Sequence, residues 1–206
     1  MATKKAIILD LDNTIYPASS IGEEVFKNLF LLIEESGEHE DITMIKNAIM
    51  RKPFQKVASD FNFSETLTNK GMALLEDLTY DKEIKPFEDY IKVKNMAVKK
   101  YLVTTGFTKL QQSKVKQLDI EEDFEEIHIV DPKISTQTKK DIFKDILIRN
   151  NYHSEEVLVV GDDLHSEIQA AIELGIDTVL YNKINLNHNR NDLTTITDFG
   201  ELYRFI

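Results

Sequence analysis

The sequence has no cysteine, which excludes disulfide cross-links and thiolate zinc sites. No apolar run approaches the roughly 20 residues that a helix needs to span a bilayer. The opening residues, Met1-Ala2-Thr3-Lys4-Lys5, lead straight into a strand-like run. They lack the apolar stretch and small-residue cleavage site of a signal peptide. These absences fit a cytoplasmic protein. Positive charge is also scarce: 25 Lys and Arg stand against 36 Asp and Glu, for a formal net charge of -11. Such a surface repels phosphate backbones and anionic lipid, so neither a nucleic-acid polymer nor a membrane is an expected partner. A small anionic substrate stays open, because a bound metal reverses the field inside a pocket. What is present is an ordinary globular composition, 42% hydrophobic and 30% charged. The 206 residues suffice for one core, or for a core carrying a small inserted domain. The oligomeric state has no signature in the sequence.

Short apolar runs recur along the chain: Lys5 to Leu9, Tyr101 to Thr104, Ile127 to Val130, Val157 to Val160, Thr178 to Tyr181, and a weaker one at Thr194 to Thr197. Continuous branched runs of this kind suit strands covered on both faces. Helical spacing fills the intervals. Leu110, Lys114 and Leu118 share one face; Ile142, Phe143, Ile146 and Leu147 share another; Ile168, Ala171, Ile172 and Gly175 continue the pattern. Strand-helix alternation predicts an α/β fold with a doubly wound parallel sheet. One region breaks it. From Ser19 to Lys82 the apolar residues repeat only at helical spacing: Ile21, Val25, Leu29 and Leu32 with Phe26, Phe30 and Ile33 beside them, then Ile42, Ile45 and Ile49, then Phe54, Val57 and Phe61, then Leu67, Leu74 and Leu78. The expected organisation is a core of residues 1–17 and 83–206 with a small all-helical domain, 18–82, inserted after the first strand. Residues 79–86 form the return linker, and the Asn-rich stretch 182–192 a surface loop.

Ligands of such sheets bind beyond the carboxyl ends of the strands. Asp10-Leu11-Asp12-Asn13-Thr14 follows the first strand. Two carboxylates there can hold a hard dication, attack phosphorus, and move a proton. The same residues also suit a plain turn built on local hydrogen bonds. Thr104-Thr105-Gly106 ends the second strand, either as a phosphoryl-binding hydroxyl pair or as a glycine turn. Lys139 and Lys140 precede an apolar helix, where one of them can neutralise an anion or both can face solvent. Gly161-Asp162-Asp163-Leu164-His165-Ser166-Glu167 ends the fourth strand, as further metal ligands or as helix-capping residues. Four such signals on one face of one fold point to a phosphoryl-transfer site.

These segments resemble the motifs of the haloacid dehalogenase-like (HAD) superfamily of phosphatases. The resemblance covers nearly the whole chain, the helical insertion included. It implies that Asp10 attacks phosphorus and forms an aspartyl-phosphate. Asp12 acts as general acid and then base, and its backbone carbonyl ligates magnesium. Asp10 and Asp162 supply side-chain ligands, with Glu167 or Asp163 completing the set where the family usually has Asp. Thr104 and Lys139 bind phosphoryl oxygens, with Thr105 beside them and Lys140 the alternative lysine. The cofactor is then Mg2+ and the substrate a small phosphorylated metabolite. The segment Asp12 to Ser20 resembles the pyrimidine 5′-nucleotidase-like branch, which implies a nucleoside monophosphate. The same core also serves sugar-phosphate mutases, haloacid dehalogenases and non-catalytic binding proteins. Asp12 counts against the dehalogenase, since a leaving halide needs no proton.

Overall fold

The computed structural model describes residues 3–184 and 192–206. Residues 185–191, within the expected Asn-rich loop, lie outside the described residues. Six strands form one all-parallel sheet in the order β3-β2-β1-β4-β5-β6. They are β1 (Ala6–Leu9), β2 (Lys99–Thr105), β3 (Glu126–Val130), β4 (Val157–Gly161), β5 (Asp177–Tyr181) and β6 (Thr195–Ile196). Each expected strand is present, within two residues of its expected ends. The central strand β1 explains why its sequence is apolar throughout. Ile7 and Leu9 enter one hydrophobic cluster, with Leu102, Leu158 and Val160. Ala6 and Ile8 enter the other, with Tyr101, Val103, Val157 and Val159. Each fully buried Ile or Leu contributes about 1.5–3 kcal/mol, so a polar residue on either face of β1 would be costly.

Residues 18–82, after β1, hold five short helices: α1 (Ser19–Val25), α2 (Lys27–Ser36), α3 (Thr43–Ile49), α4 (Phe54–Asp60) and α5 (Glu65–Glu76). No strand interrupts them among the described residues. Two of the expected apolar stripes are corrected. The stripe from Ile21 to Leu32 is split at Phe26, whose φ of -95° and ψ of 9° end α1 and begin α2. After the split, Leu29, Phe30 and Ile33 are buried and Leu32 only half so. On α5 the buried face is Leu67, Gly71 and Leu75, spaced by four, rather than Leu67, Leu74 and Leu78. Leu78 lies beyond the end of the helix.

Four helices flank the sheet. α6 (Tyr90–Lys94) and α7 (Thr108–Leu118) pack on the face of Ile7 and Leu9 through Val93, Leu110, Val115 and Leu118. α8 (Lys139–Arg149) and α9 (Gln169–Glu173) cover the other face through Phe143, Ile146, Ala170 and Ala171. Ile172, expected on that buried face, is 42% exposed. α8 starts three residues before the expected apolar stretch because Thr138 and Asp141 close a capping box. That cap sets Lys139 in the first turn of α8. Asp131, at the end of β3, accepts hydrogen bonds from the Thr108 backbone N–H (2.9 Å) and hydroxyl (2.8 Å), and so fixes the start of α7.

Candidate active site

The sheet ladder runs one residue past β1: the Asp10 N–H donates to the Val160 carbonyl at 3.1 Å. Asp10 therefore stands at the carboxyl edge of the sheet between β2 and β4. The chain then turns back. Asn13 takes a left-handed φ of 60°, which Asn tolerates better than most residues. Its N–H donates to the Tyr16 carbonyl (2.8 Å), and its side-chain oxygen accepts from the Ala18 N–H (3.1 Å). The turn chemistry weighed for this segment is thus real. It coexists with a gathering of the two carboxylates at one cavity.

Around Asp10 the elements deliver a buried charge cluster. Lys139 Nζ lies 2.6 Å from Asp10 Oδ1 and 2.8 Å from Glu167 Oε2. One oxygen each of Asp10, Asp162 and Glu167 lie within 4.8 Å of one another. All four side chains are buried. Burial pushes the Asp10 carboxyl up to about 7, with Glu167 and Asp12 adding to the rise and Lys139 opposing it. Burial likewise pushes Asp162 up to about 9, helped by the charges of Asp10 and Glu167. Burial works against the Lys139 ammonium, but Asp10 and Glu167 outweigh it and hold its pKa above the ordinary lysine value.

Glu167 reaches this cluster through a local irregularity. Leu164–Ile168 forms a π-helical turn between β4 and α9. Glu167 Oε1 accepts from the Asp163 N–H at 2.7 Å. The carboxylate lies where a side chain at position 161 would stand: a Cβ on Gly161 would meet Glu167 Oε1 at 2.2 Å. The longer Glu is accommodated because β4 ends in glycine. Asp163 caps the turn instead, accepting from the His165 N–H at 2.8 Å. Lys140 points outward to Glu173 at 2.8 Å. Of each pair left open by the sequence, Glu167 and Lys139 join the cluster, while Asp163 and Lys140 do not.

Asp12 sits in a second group that sequence reasoning missed. Lys114 Nζ donates to its Oδ1 at 2.8 Å, Gln111 Nε2 to its Oδ2 at 2.9 Å, and the Tyr16 hydroxyl also donates to Oδ1. Burial opposes ionisation of Asp12, but the Lys114 charge and these donors prevail and lower its pKa. The Asp12 carboxylate in turn raises the Tyr16 phenol, already lifted by burial, well above its ordinary value. Gln111 Nε2 also donates to Thr104 Oγ1 (2.7 Å) and, more weakly, to the Thr105 carbonyl (3.3 Å). Its seat is opened by Gly106, whose φ of 154° suits glycine and whose Cβ would crowd Gln111 Cγ at 3.0 Å. One signal pointed to this group. Lys114 lies between Leu110 and Leu118 on the apolar face of α7, and a buried ammonium requires a carboxylate partner. Gln111 gave no such signal.

A cavity of about 640 Å³ joins the two groups. Asp10, Asp12, Thr104, Thr105, Lys139, Asp162 and Glu167 line its floor, and residues of α1, α3, α4 and α5 line its roof. The all-oxygen donor set of Asp10, Asp162 and Glu167 fits a hard dication such as magnesium. Three carboxylates share one ammonium there, so a further positive charge is also favoured electrostatically.

Solved structures with this fold include a haloacid dehalogenase-like family hydrolase from Streptococcus pneumoniae, 19% identical, with a TM-score of 0.75 and all of both chains covered. Another is a 2-haloacid dehalogenase from Pseudomonas syringae, 14% identical, with a TM-score of 0.61 and 98% of each chain covered. These likenesses show the Rossmann-like α/β fold. A model of the haloacid dehalogenase-like hydrolase family matches residues 4–175, and the chain belongs to that family. Curated relatives are glyceraldehyde 3-phosphate phosphatases. The one from Methanopyrus kandleri is 26% identical over 195 residues, 85% of this chain and 82% of the relative. The one from Pyrococcus furiosus is 23% identical over 219 residues, 96% and 91% of the two chains. Family and relatives agree with the expectation of a phosphoric monoester hydrolase. Among the described residues no helix is long and apolar enough to cross a membrane.

Proposed function

We propose that this chain is a magnesium-dependent phosphatase that hydrolyses a small phosphomonoester through a phosphorylated Asp10. The observation that carries this is the presence of two differently held carboxylates, Asp10 and Asp12, on the floor of one cavity. In the first half of the reaction an Asp10 oxygen attacks phosphorus, and the bond from phosphorus to the leaving oxygen breaks. Asp12 gives that oxygen a proton. In the second half Asp12 takes a proton from water, which attacks the aspartyl-phosphate and frees Asp10. Lys114 keeps Asp12 ionised at rest, which suits the second half. A phosphate dianion arriving beside it favours the protonated form, which suits the first. Lys139 and the Thr104 hydroxyl steady the phosphoryl oxygens, with Thr105 at the rim. Asp10, Asp162 and Glu167 would hold Mg2+, joined by the Asp12 backbone carbonyl. When bound, the ion neutralises phosphoryl charge and aligns the group for in-line transfer.

The helical segment 18–82 serves as a cap over the core 1–17 and 83–206. Ion pairs of Glu76 with Lys133 and of Asp77 with Lys109 tie the end of this segment to the core. The substrate is small and phosphorylated. A nucleoside monophosphate follows from the segment Asp12 to Ser20, and a triose phosphate from the names of the relatives. The intact Asp12 group favours phosphorus over carbon as the atom attacked, and catalysis over mere binding. The test is hydrolysis of p-nitrophenyl phosphate with and without Mg2+. Asp10→Asn should abolish the magnesium-dependent rate and leave the circular dichroism spectrum intact. Full activity in that variant would remove Asp10 as nucleophile, phosphate hydrolysis surviving chelation would remove magnesium from the reaction, and halide release from a 2-haloacid in place of phosphate hydrolysis would favour dehalogenation.

A further inference from the structure

The cavity is electrically two-ended. Its floor carries the carboxylates of Asp10, Asp12, Asp162 and Glu167. Its roof carries Arg51, Lys52 and Lys56, from the end of α3 to the first turn of α4. Lys52 pairs with Asp60 at 2.8 Å. Arg51 and Lys56 have no ion pair among the described residues. This is an unusual concentration in a chain of net charge -11, and it faces the one cavity that holds the site. The rest of the lining is largely apolar, with Ile21, Val25, Phe26, Ile49, Phe54 and Phe107. Phosphate chemistry on the floor does not account for cations at the opposite end. A generic attraction for anions would not require them to line this cavity rather than its surroundings.

We infer that Arg51 and Lys56 bind a second anionic group on the leaving part of the substrate, so that the preferred substrates are phosphomonoesters bearing a carboxylate or another phosphate. This rests on the phosphatase function proposed above and narrows it. The guanidinium of Arg51 presents a planar fork suited to carboxylate or phosphate oxygens, and Lys56 adds a point charge. Both side chains are exposed, so water and salt screen each interaction. A neutral leaving group of the same size would leave the roof cations unmatched.

The experiment compares substrates that differ only in the second anion. The pairs are 3-phosphoglycerate with glyceraldehyde 3-phosphate, 6-phosphogluconate with the open-chain sorbitol 6-phosphate, and adenosine 3′,5′-bisphosphate with adenosine 5′-monophosphate. In at least one pair kcat/KM should favour the anionic member by about tenfold, the scale of a charge-assisted hydrogen bond. The preference should shrink as salt rises. R51Q combined with K56Q should bring the ratio close to one, mainly through KM. K144Q, which removes one positive charge from an exposed site on α8, should leave the ratio as it is. Neutral members preferred throughout, or an anionic preference that survives R51Q/K56Q, would overturn the inference. No magnesium-dependent hydrolysis of p-nitrophenyl phosphate would instead defeat the phosphatase function itself, so the two failures are distinguishable.

Discussion

Gly161→Ala tests the construction of the acidic cluster with a single methyl group. In an ordinary strand this change stabilises by about 0.4–1 kcal/mol, because alanine loses less chain entropy on folding. The backbone at Gly161 raises no objection, since it is not among the glycines of positive φ. The obstacle is Glu167, whose Oε1, Cγ and Cδ would lie 2.2, 2.4 and 2.6 Å from the new Cβ. β4 is paired on both sides, with β1 and β5, so the strand cannot retreat and Glu167 must leave. Its carboxylate then forfeits the bond from the Asp163 N–H and the contact with Lys139. Bonds to charged groups contribute about 1.5–3 kcal/mol each. Relief of repulsion among Asp10, Asp162 and Glu167 offsets part of that loss. The expected result is destabilisation by about 2–4 kcal/mol in denaturant unfolding, together with weaker Mg2+ binding by calorimetry. In a Glu167→Ala background the obstruction is gone, and Gly161→Ala should become neutral or stabilising. Wild-type stability and Mg2+ affinity in the single variant, or an equal loss in both backgrounds, would refute this account.

The two lysines at the start of α8 should separate cleanly. Lys139→Met strands the buried carboxylates of Asp10 and Glu167 and should cost about 3–5 kcal/mol and nearly all turnover. Lys140→Met removes an exposed pair with Glu173 and should stay within about 0.5 kcal/mol of wild type; unfolding curves and kcat/KM check both. Gln111→Leu frees Thr104 and Asp12 from a shared donor and should lower kcat by about 10- to 100-fold, the penalty of small misplacements at a reacting centre. Unchanged kcat would remove Gln111 from the positioning of either residue. Asp131 supplies a pH test. Burial opposes its charge, but the Thr108 and Lys133 backbone N–H groups and the Thr108 hydroxyl prevail and lower its pKa. A carboxyl lowered by folding stabilises fully above its unfolded value of about 3.9 and loses that contribution as pH falls through the folded value. Asp131→Asn should therefore lose about 1–2 kcal/mol at pH 7 and progressively less as pH falls below about 3.9, as followed by thermal unfolding across pH.

The sheet was legible because burial on both faces leaves a plain mark: Ile7-Ile8-Leu9 and Val157-Leu158-Val159-Val160 admit no polar residue. Strand ends then located Asp10 and Asp162 without further knowledge. Helix faces were less legible. Leu74 and Leu75 are adjacent, and spacing alone does not say which one turns inward; in the packed helix it is Leu75, in line with Leu67 and Gly71. The choice between Lys139 and Lys140 depended on a capping box at Thr138 and Asp141 that sets the rotation of α8. Gln111 was invisible because its role depends on Gly106 and Thr104 meeting it in space, and polar residues on helices usually face water. Lys114 was different. It stood in plain view on an apolar face, and its burial could have been turned into a search for a partner carboxylate.

The pairing of helices with carboxylates also explains why the two aspartates of one turn can differ. α7 brings Lys114 to Asp12, and α8 brings Lys139 to Asp10. Asp12 faces one cation and two neutral donors, so its charge is satisfied and its pKa is lowered. Asp10 shares its cation with Glu167 and stands beside Asp162, so its pKa is raised. Residues two apart in sequence thus receive opposite shifts from helices on opposite faces of the sheet. On the function proposed above, the nucleophile and the acid–base carboxylate need different surroundings. The doubly wound topology supplies them, because the carboxyl edge of β1 is the place where helices from both layers can reach adjacent side chains. On the function proposed above, the positive charge missing around Asp10, Asp162 and Glu167 is what a bound dication would supply.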